Sequence, residues 1–167
     1  MFNDADKLPK DHFLCPGDLL TNSPEDKLAL LDDKVTILHM YAVYHLFSLK
    51  DQKVVADRCL RLLRKDTGAP VLLLGGQVGS AKAGPFLREN VTGNLIYMYR
   101  HNEQSWKELW DTVCGMDEWK SKVKKLEVKS QILTLQSSGG KGRQATANAE
   151  SGRQQLRHLF EVWVTFH

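Results

Sequence analysis

Five short groups of residues in this 167-residue chain carry side chains or backbone able to bind a ligand or move a proton. Asp18 follows the apolar triplet Phe13-Leu14-Cys15 and the turn pair Pro16-Gly17. Its carboxylate either closes that turn or accepts hydrogen bonds from a ribose or adenine donor. His39 ends an apolar run, where an imidazole can orient a ligand, accept a proton near neutral pH, or sit as a satisfied structural residue. His45 stands among Tyr41, Tyr44 and Phe47, an aromatic group that suits an apolar substrate and equally the lid of a core. Gly75-Gly76-Gln77-Val78-Gly79 lacks the GxGxxG spacing of a dinucleotide loop. Its glycines are better suited to close backbone approach to a ligand or a neighbouring loop than to a phosphate cradle. Tyr99-Arg100-His101 precedes a helix start, a position for an anion or for a solvated cap.

Other chemistries are excluded more firmly. No Ser/His/Asp or Cys/His set has diagnostic local spacing, and neither HExxH nor a P-loop is present. Cys15, Cys59 and Cys114 are odd in number, far apart and without a CxxC, so a disulfide scaffold and a zinc site are both unexpected. The net charge of +3 hides an asymmetry, because residues 119–158 hold nine Lys or Arg against two Glu. A basic stretch can hold phosphates. Here the lysines alternate with apolar residues and lack interleaved aromatics, which reads as a solvated strand face, and nucleic acid is not an expected partner. The polar, acidic opening shows no targeting peptide, and no apolar run approaches the roughly 18–20 residues of a membrane helix. The expected address is the cytoplasm, and the expected organisation is one domain spanning 1–167.

These groups need elements to position them. The run 35–40, rich in β-branched and apolar residues without alternation, predicts a central parallel strand buried on both faces. Ser48 with Asp51 resembles a capping box, and Val55, Cys59, Leu62 and Leu63 give a helical apolar stripe that Gly68 stops. Val71-Leu72-Leu73-Leu74 predicts a second strand, closing a βαβ unit. The stretch 80–93 reads as loop, and 95–99 as a short extended segment. Asn102 caps a helix with Trp106, Leu109, Trp110 and Val113 on one stripe, ended by Gly115. Alternation over 126–134 and 160–166 predicts two antiparallel strands, with a polar, flexible loop at about 136–155 between them. The order β–β–α–β–α–β–β is an α/β layer structure, whose ligands bind off the carboxyl ends of the parallel strands. That directs attention to 16–20, 39–47 and 75–79.

Three of these motifs stand in a familiar order: Val35-Thr36-Ile37-Leu38-His39-Met40-Tyr41-Ala42-Val43-Tyr44-His45-Leu46-Phe47, then Gly75-Gly76-Gln77-Val78-Gly79, then Met98-Tyr99-Arg100-His101-Asn102 ahead of Ser105-Trp106. Together they resemble the fungal class I S-adenosylmethionine-dependent methyltransferases of meroterpenoid and other secondary-metabolite pathways. The likeness runs from about residue 18 to 113 and resumes over 156–166. It implies a partial Rossmann-like class I sheet made of the later strands plus a C-terminal antiparallel hairpin. It implies S-adenosyl-L-methionine as cofactor, with Asp18 and Leu19 lining the adenine pocket and His39 and Met40 facing the methionine moiety and the transferred methyl. On the acceptor side it implies Tyr44, Gln77, Tyr99 and Arg100, with His45 and His101 as candidates for proton transfer. The activity implied is O-methyl transfer to a small secondary metabolite such as a meroterpenoid intermediate.

The chain departs from that pattern at its front. The family's glycine-rich loop after the first strand, and the second strand with its acidic ribose ligand, have no counterpart, so the chain reads as the carboxyl-terminal part of such an enzyme, expected to be inactive alone without that loop. The alternative reading is a non-catalytic methyltransferase remnant that associates with itself or with a full-length relative. The missing strands would bare one edge of the 35–40 strand, and an uncovered edge invites a homodimer or pairing with another chain.

Overall fold

A computed structural model describes residues 17–89, 92–134 and 156–167. The apolar triplet 13–15 and the polar stretch 136–155 lie outside the described residues.

The molecule is an α/β structure built on a four-stranded mixed sheet. In chain order the elements are β1 (Ile37–Tyr41), α1 (Leu49–Leu62), β2 (Val71–Gly79), β3 (Gly84–Glu89), β4 (Leu95–Arg100), α2 (Glu103–Cys114), β5 (Val123–Thr134) and β6 (Leu156–Phe166). The main sheet has the order β1-β2-β6-β5. β1 and β2 run parallel, as the βαβ unit demands, with His39 beside Leu74. β6 lies antiparallel between β2 and β5, so the expected hairpin closes the sheet. β3 and β4 form a separate two-stranded antiparallel sheet.

Local chemistry sets the helix boundaries. Ser48 accepts from the Asp51 amide at the start of α1, and Asn102 with Ser105 makes a reciprocal capping box at the start of α2. The α2 stripe of Trp106, Leu109, Trp110 and Val113 is buried as its spacing requires. α1 stops at Leu62, well before Gly68. There the chain turns extended at Leu63 and bridges to Val35, and the Arg64 amide bonds the Val35 carbonyl. Gly68, at φ +64°, belongs to the following turn.

Three expectations are corrected. The stretch 80–93 is not all loop, since β3 pairs with β4 over Gly84–Glu89; Pro85 is tolerated in a two-stranded sheet where both strands are edges. The glycines at 75, 76 and 79 lie within β2 and not after it. A Cβ on Gly75 would lie 1.7 Å from the Met40 carbonyl oxygen, so glycine lets β1 approach β2. β1 is not buried on both faces. Met40 enters the core, whereas Ile37 is 65% exposed and Tyr41 51%.

The reason is that both helices cover one face of the sheet. Val71, Leu73, Phe160, Val162 and Val164 meet Val55, Leu60, Trp106, Trp110 and Val113 in one continuous core. Ile37, His39 and Tyr41 point to the other face, which no described helix covers.

Candidate functional site at the strand ends

β1 and β2 end side by side, and the chain leaves each of them through a polar, bent segment. Ala42 adopts φ +59°, a left-handed conformation that costs a non-glycine residue about 1 kcal/mol. Its amide bonds the Gly76 carbonyl at 2.7 Å, which holds the turn that carries Tyr44 and His45 out of β1. Past β2, the Ser80 amide bonds the His101 carbonyl at 2.9 Å, drawing the end of β4 to the end of β2. The Tyr99 amide bonds the Phe47 carbonyl at 2.9 Å and ties β4 to the turn after β1.

A buried amide and two imidazoles organise this end. Gln52 of α1 is fully buried; its Nε2 donates to the Phe47 and Tyr99 carbonyls at 3.0 and 2.9 Å. Its Oε1 must therefore accept, at 2.7 Å, from His101 Nε2. That fixes the tautomer: His101 Nδ1, unprotonated, accepts a hydrogen bond from the Ser105 hydroxyl at 2.9 Å. Burial, followed by the charge of His158, lowers the His101 pKa to about 3. His101 is thus neutral, with both nitrogens committed, and none is left for an acceptor's proton. Nearby, Gln77 Nε2 meets His158 Nδ1 at 3.2 Å, and burial pushes His158 down to about 4. Gln77 Oε1 and His158 Nε2 are buried without a hydrogen-bond partner. Trp106 packs edge-on against both imidazoles.

His45 differs from these. It is half-buried, and its Nδ1 is shielded from solvent with no hydrogen-bond partner. Burial lowers its pKa, and the positive charges of Arg100 and Arg88 add to that. It is neutral at pH 7, and no hydrogen bond to Nδ1 fixes its tautomer. Arg100 is buried with its guanidinium 3.5 Å above the Phe86 ring, across the inner face of the β3–β4 hairpin. Tyr99 is half-buried, its ring 4.9 Å from that of His101.

Gln77, Tyr99, Arg100 and His101 are therefore gathered at the ends of β2 and β4. The other sequence candidates lie elsewhere. Tyr44 belongs to the core and not to an open pocket wall: it is 1% exposed, its hydroxyl meets Cys59 Sγ at 3.4 Å, and its ring abuts Trp106 and Phe160. Met40 is likewise a core residue, while His39 stacks on Tyr41 on the opposite face of β1. Asp18 is exposed and closes a turn, Oδ1 accepting from the Leu20 amide at 2.8 Å, and Leu19 packs against the core. Gln52 and His158 were not legible as site residues. Each sits inside a regular helix or strand pattern and acquires its role only through tertiary contacts. Ala42 gave no signal, since alanine is not a turn residue.

On the uncovered sheet face a cleft of about 480 Å³ lies between His39, Tyr41, Leu74, Arg157 and Glu161. Among the described residues no three His, Cys, Asp or Glu side chains are placed to hold a metal ion. No described helix is long and apolar enough to cross a membrane. The β5 lysines behave as a solvated face, with Lys125 and Lys129 both paired to Glu127 at 3.3 and 3.0 Å.

The elements define an α/β protein with a mixed sheet, an antiparallel closing hairpin and a polar cluster at the ends of its parallel strands. No protein-family model matches the chain. Over 137 residues, 81% of its length, it is 33% identical to the O-methyltransferase phiE of a fungal species (strain ATCC 74256). It is thus a distant relative of a fungal O-methyltransferase, and it spans 43% of that protein's length.

Proposed function

We propose that the chain is the later part of an S-adenosylmethionine-dependent O-methyltransferase acting on a small secondary metabolite such as a meroterpenoid intermediate. The observation that carries the reading is the likeness to a fungal O-methyltransferase across most of the chain. The sheet supports it: a parallel pair running into an antiparallel hairpin fits the later strands of a class I methyltransferase sheet.

The described residues fit the donor only in part. Asp18 is an exposed carboxylate with one oxygen engaged in its turn, leaving the other for an adenosyl hydroxyl. His39 and Met40 face opposite sides of β1, so only one of them can meet a given ligand. No described loop gathers backbone N–H groups for the methionine carboxylate. No step is therefore assigned through the donor. On the acceptor side, half-buried His45 is the imidazole that would take the proton of a hydroxyl acceptor, with Arg100 and Arg88 of the β3–β4 hairpin near it. Gln52 and His101 position the wall and do not exchange protons with substrate.

Calorimetric titration of the 167-residue chain with S-adenosylmethionine tests the reading. A heat of binding is expected, weakened in Asp18→Asn, which keeps the turn hydrogen bond but loses the charge. No heat from a folded chain removes the enzyme reading. The alternative, a non-catalytic remnant acting through association, is favoured by one observation: among the described residues the outer edge of β1 is unpaired and lies beside an uncovered sheet face.

A further inference from the structure

The turn that carries Asp18 does not fix its own place in the molecule. Asp18 Oδ1 folds back on the Leu20 amide at 2.8 Å, which shapes three residues and leaves their position open. Asp26, eight residues further on, supplies the position. Its Oδ2 accepts from the Asp18 amide at 3.0 Å. Its Oδ1 accepts from the Leu28 amide at 2.9 Å and so caps the short helical turn Lys27–Leu31. One carboxylate thus clamps two separate backbone segments. The Asp18 and Leu28 amides hold its pKa below the ordinary carboxylate value, and the charge of Arg58 adds to that. The fit is close: a Cβ on Gly17 would lie 2.2 Å from Leu28 Cγ and 2.7 Å from Asp26 Oδ1.

The clamp is itself anchored on both sides. Before it, Asn22 donates to Asp57 of α1 at 2.8 Å. After it, Asp32 pairs with Arg58 of α1 at 2.8 Å and Asp33 pairs with Lys65. Arg58 is 1% exposed, so its pair is screened less than a surface pair. The Asp33 and Lys34 amides bond the Arg61 and Leu62 carbonyls at the end of α1. α1 sets the place of Asp26, and Asp26 sets that of Asp18.

From these contacts we infer that Asp26 is a positioning residue of the candidate donor site. Its carboxylate holds the Asp18 turn so that the second oxygen of Asp18, unengaged among the described residues, meets an N–H or O–H of the adenosyl group. This rests on the proposed reading of Asp18 as a donor-binding residue, and Asp26 acts only through it. An asparagine at 26 offers one oxygen in place of two and turns an NH₂ group toward the other amide, so it can cap Leu28 but no longer clamp Asp18 as well.

A double-mutant cycle on the full chain provides the test, read by calorimetric titration with S-adenosylmethionine. Asp26→Asn is expected to bind several-fold more weakly than the wild type, and Asp18→Asn/Asp26→Asn no more weakly than Asp18→Asn alone. A residue that acts only through another gives such non-additive losses, whereas an independent structural role adds its own. Amide hydrogen exchange of Asp26→Asn is expected to show the Asp18 amide released and the Leu28 amide still protected. Asp26→Ser, which also keeps a good helix cap, is expected to behave in the same way. Additive losses, or an Asp26→Asn chain that binds as tightly as the wild type, overturn the inference and leave the reading of Asp18 standing. No binding by the folded wild-type chain removes that reading, and the inference with it.

Discussion

His101 and His158 are neutral because they are buried: desolvation makes their charged forms costly, and their pKa values fall to about 3 and about 4. Half-buried His45 is shifted in the same direction. In the unfolded chain each imidazole takes a proton near its ordinary value of about 6.5. Below that pH the unfolded state therefore binds protons that the folded state refuses, and stability falls as the solution is acidified until the folded values are reached. Each of the two deeply buried histidines contributes up to about 1 kcal/mol of loss per pH unit in that window. Urea titrations at pH 7, 6 and 5 should show the midpoint falling steadily. In His158→Gln, which has no titrating group there, the fall should be shallower. A midpoint unchanged between pH 7 and 5 would contradict the buried, neutral assignment. Partial exposure separates His45 from the other two as a candidate base, since His101 has both nitrogens committed and His158 is fully buried.

The element most shaped by close approach is β2. A methyl group on Gly75 would collide with the Met40 carbonyl, which is backbone and cannot rotate away. Gly75→Ala should therefore push β1 from β2 and destabilise the fold by about 3 kcal/mol, read by thermal or urea unfolding. Gly68→Ala meets open space and only a left-handed φ, and should cost about 1 kcal/mol. This contrast also shows where sequence reading succeeds. The α2 stripe, the caps at Ser48 and Asn102, and the alternating β5 and β6 are local patterns, and each predicted its element. The glycines of β2 looked like a loop because their purpose, the approach of β1, lies across the sheet and not along the chain. β3 was hidden for a related reason: Gly84 and Pro85 are breaker residues, and only pairing with β4 makes them a strand. Of the site, Gln77 and the Tyr99–His101 triplet were visible as polar groups beside strand ends. Gln52 was not, because a glutamine in an amphipathic helix reads as surface until its amide is found joining Phe47, Tyr99 and His101.

At the scale of the whole molecule, the described helices cover one face of the sheet and leave the other without a described cover. β2 and β6 are central and paired on both sides, whereas β1 is paired on one side only among the described residues. Amide hydrogen exchange can read that difference, since exchange follows hydrogen bonding and local opening. The amides of Leu38 and Met40, turned toward β2, should be protected at every protein concentration. Those of Ile37, His39 and Tyr41, which turn away from β2 and have no strand partner among the described residues, should exchange faster than these two. Protection of all five amides in dilute solution would mean that the edge is already covered within one chain.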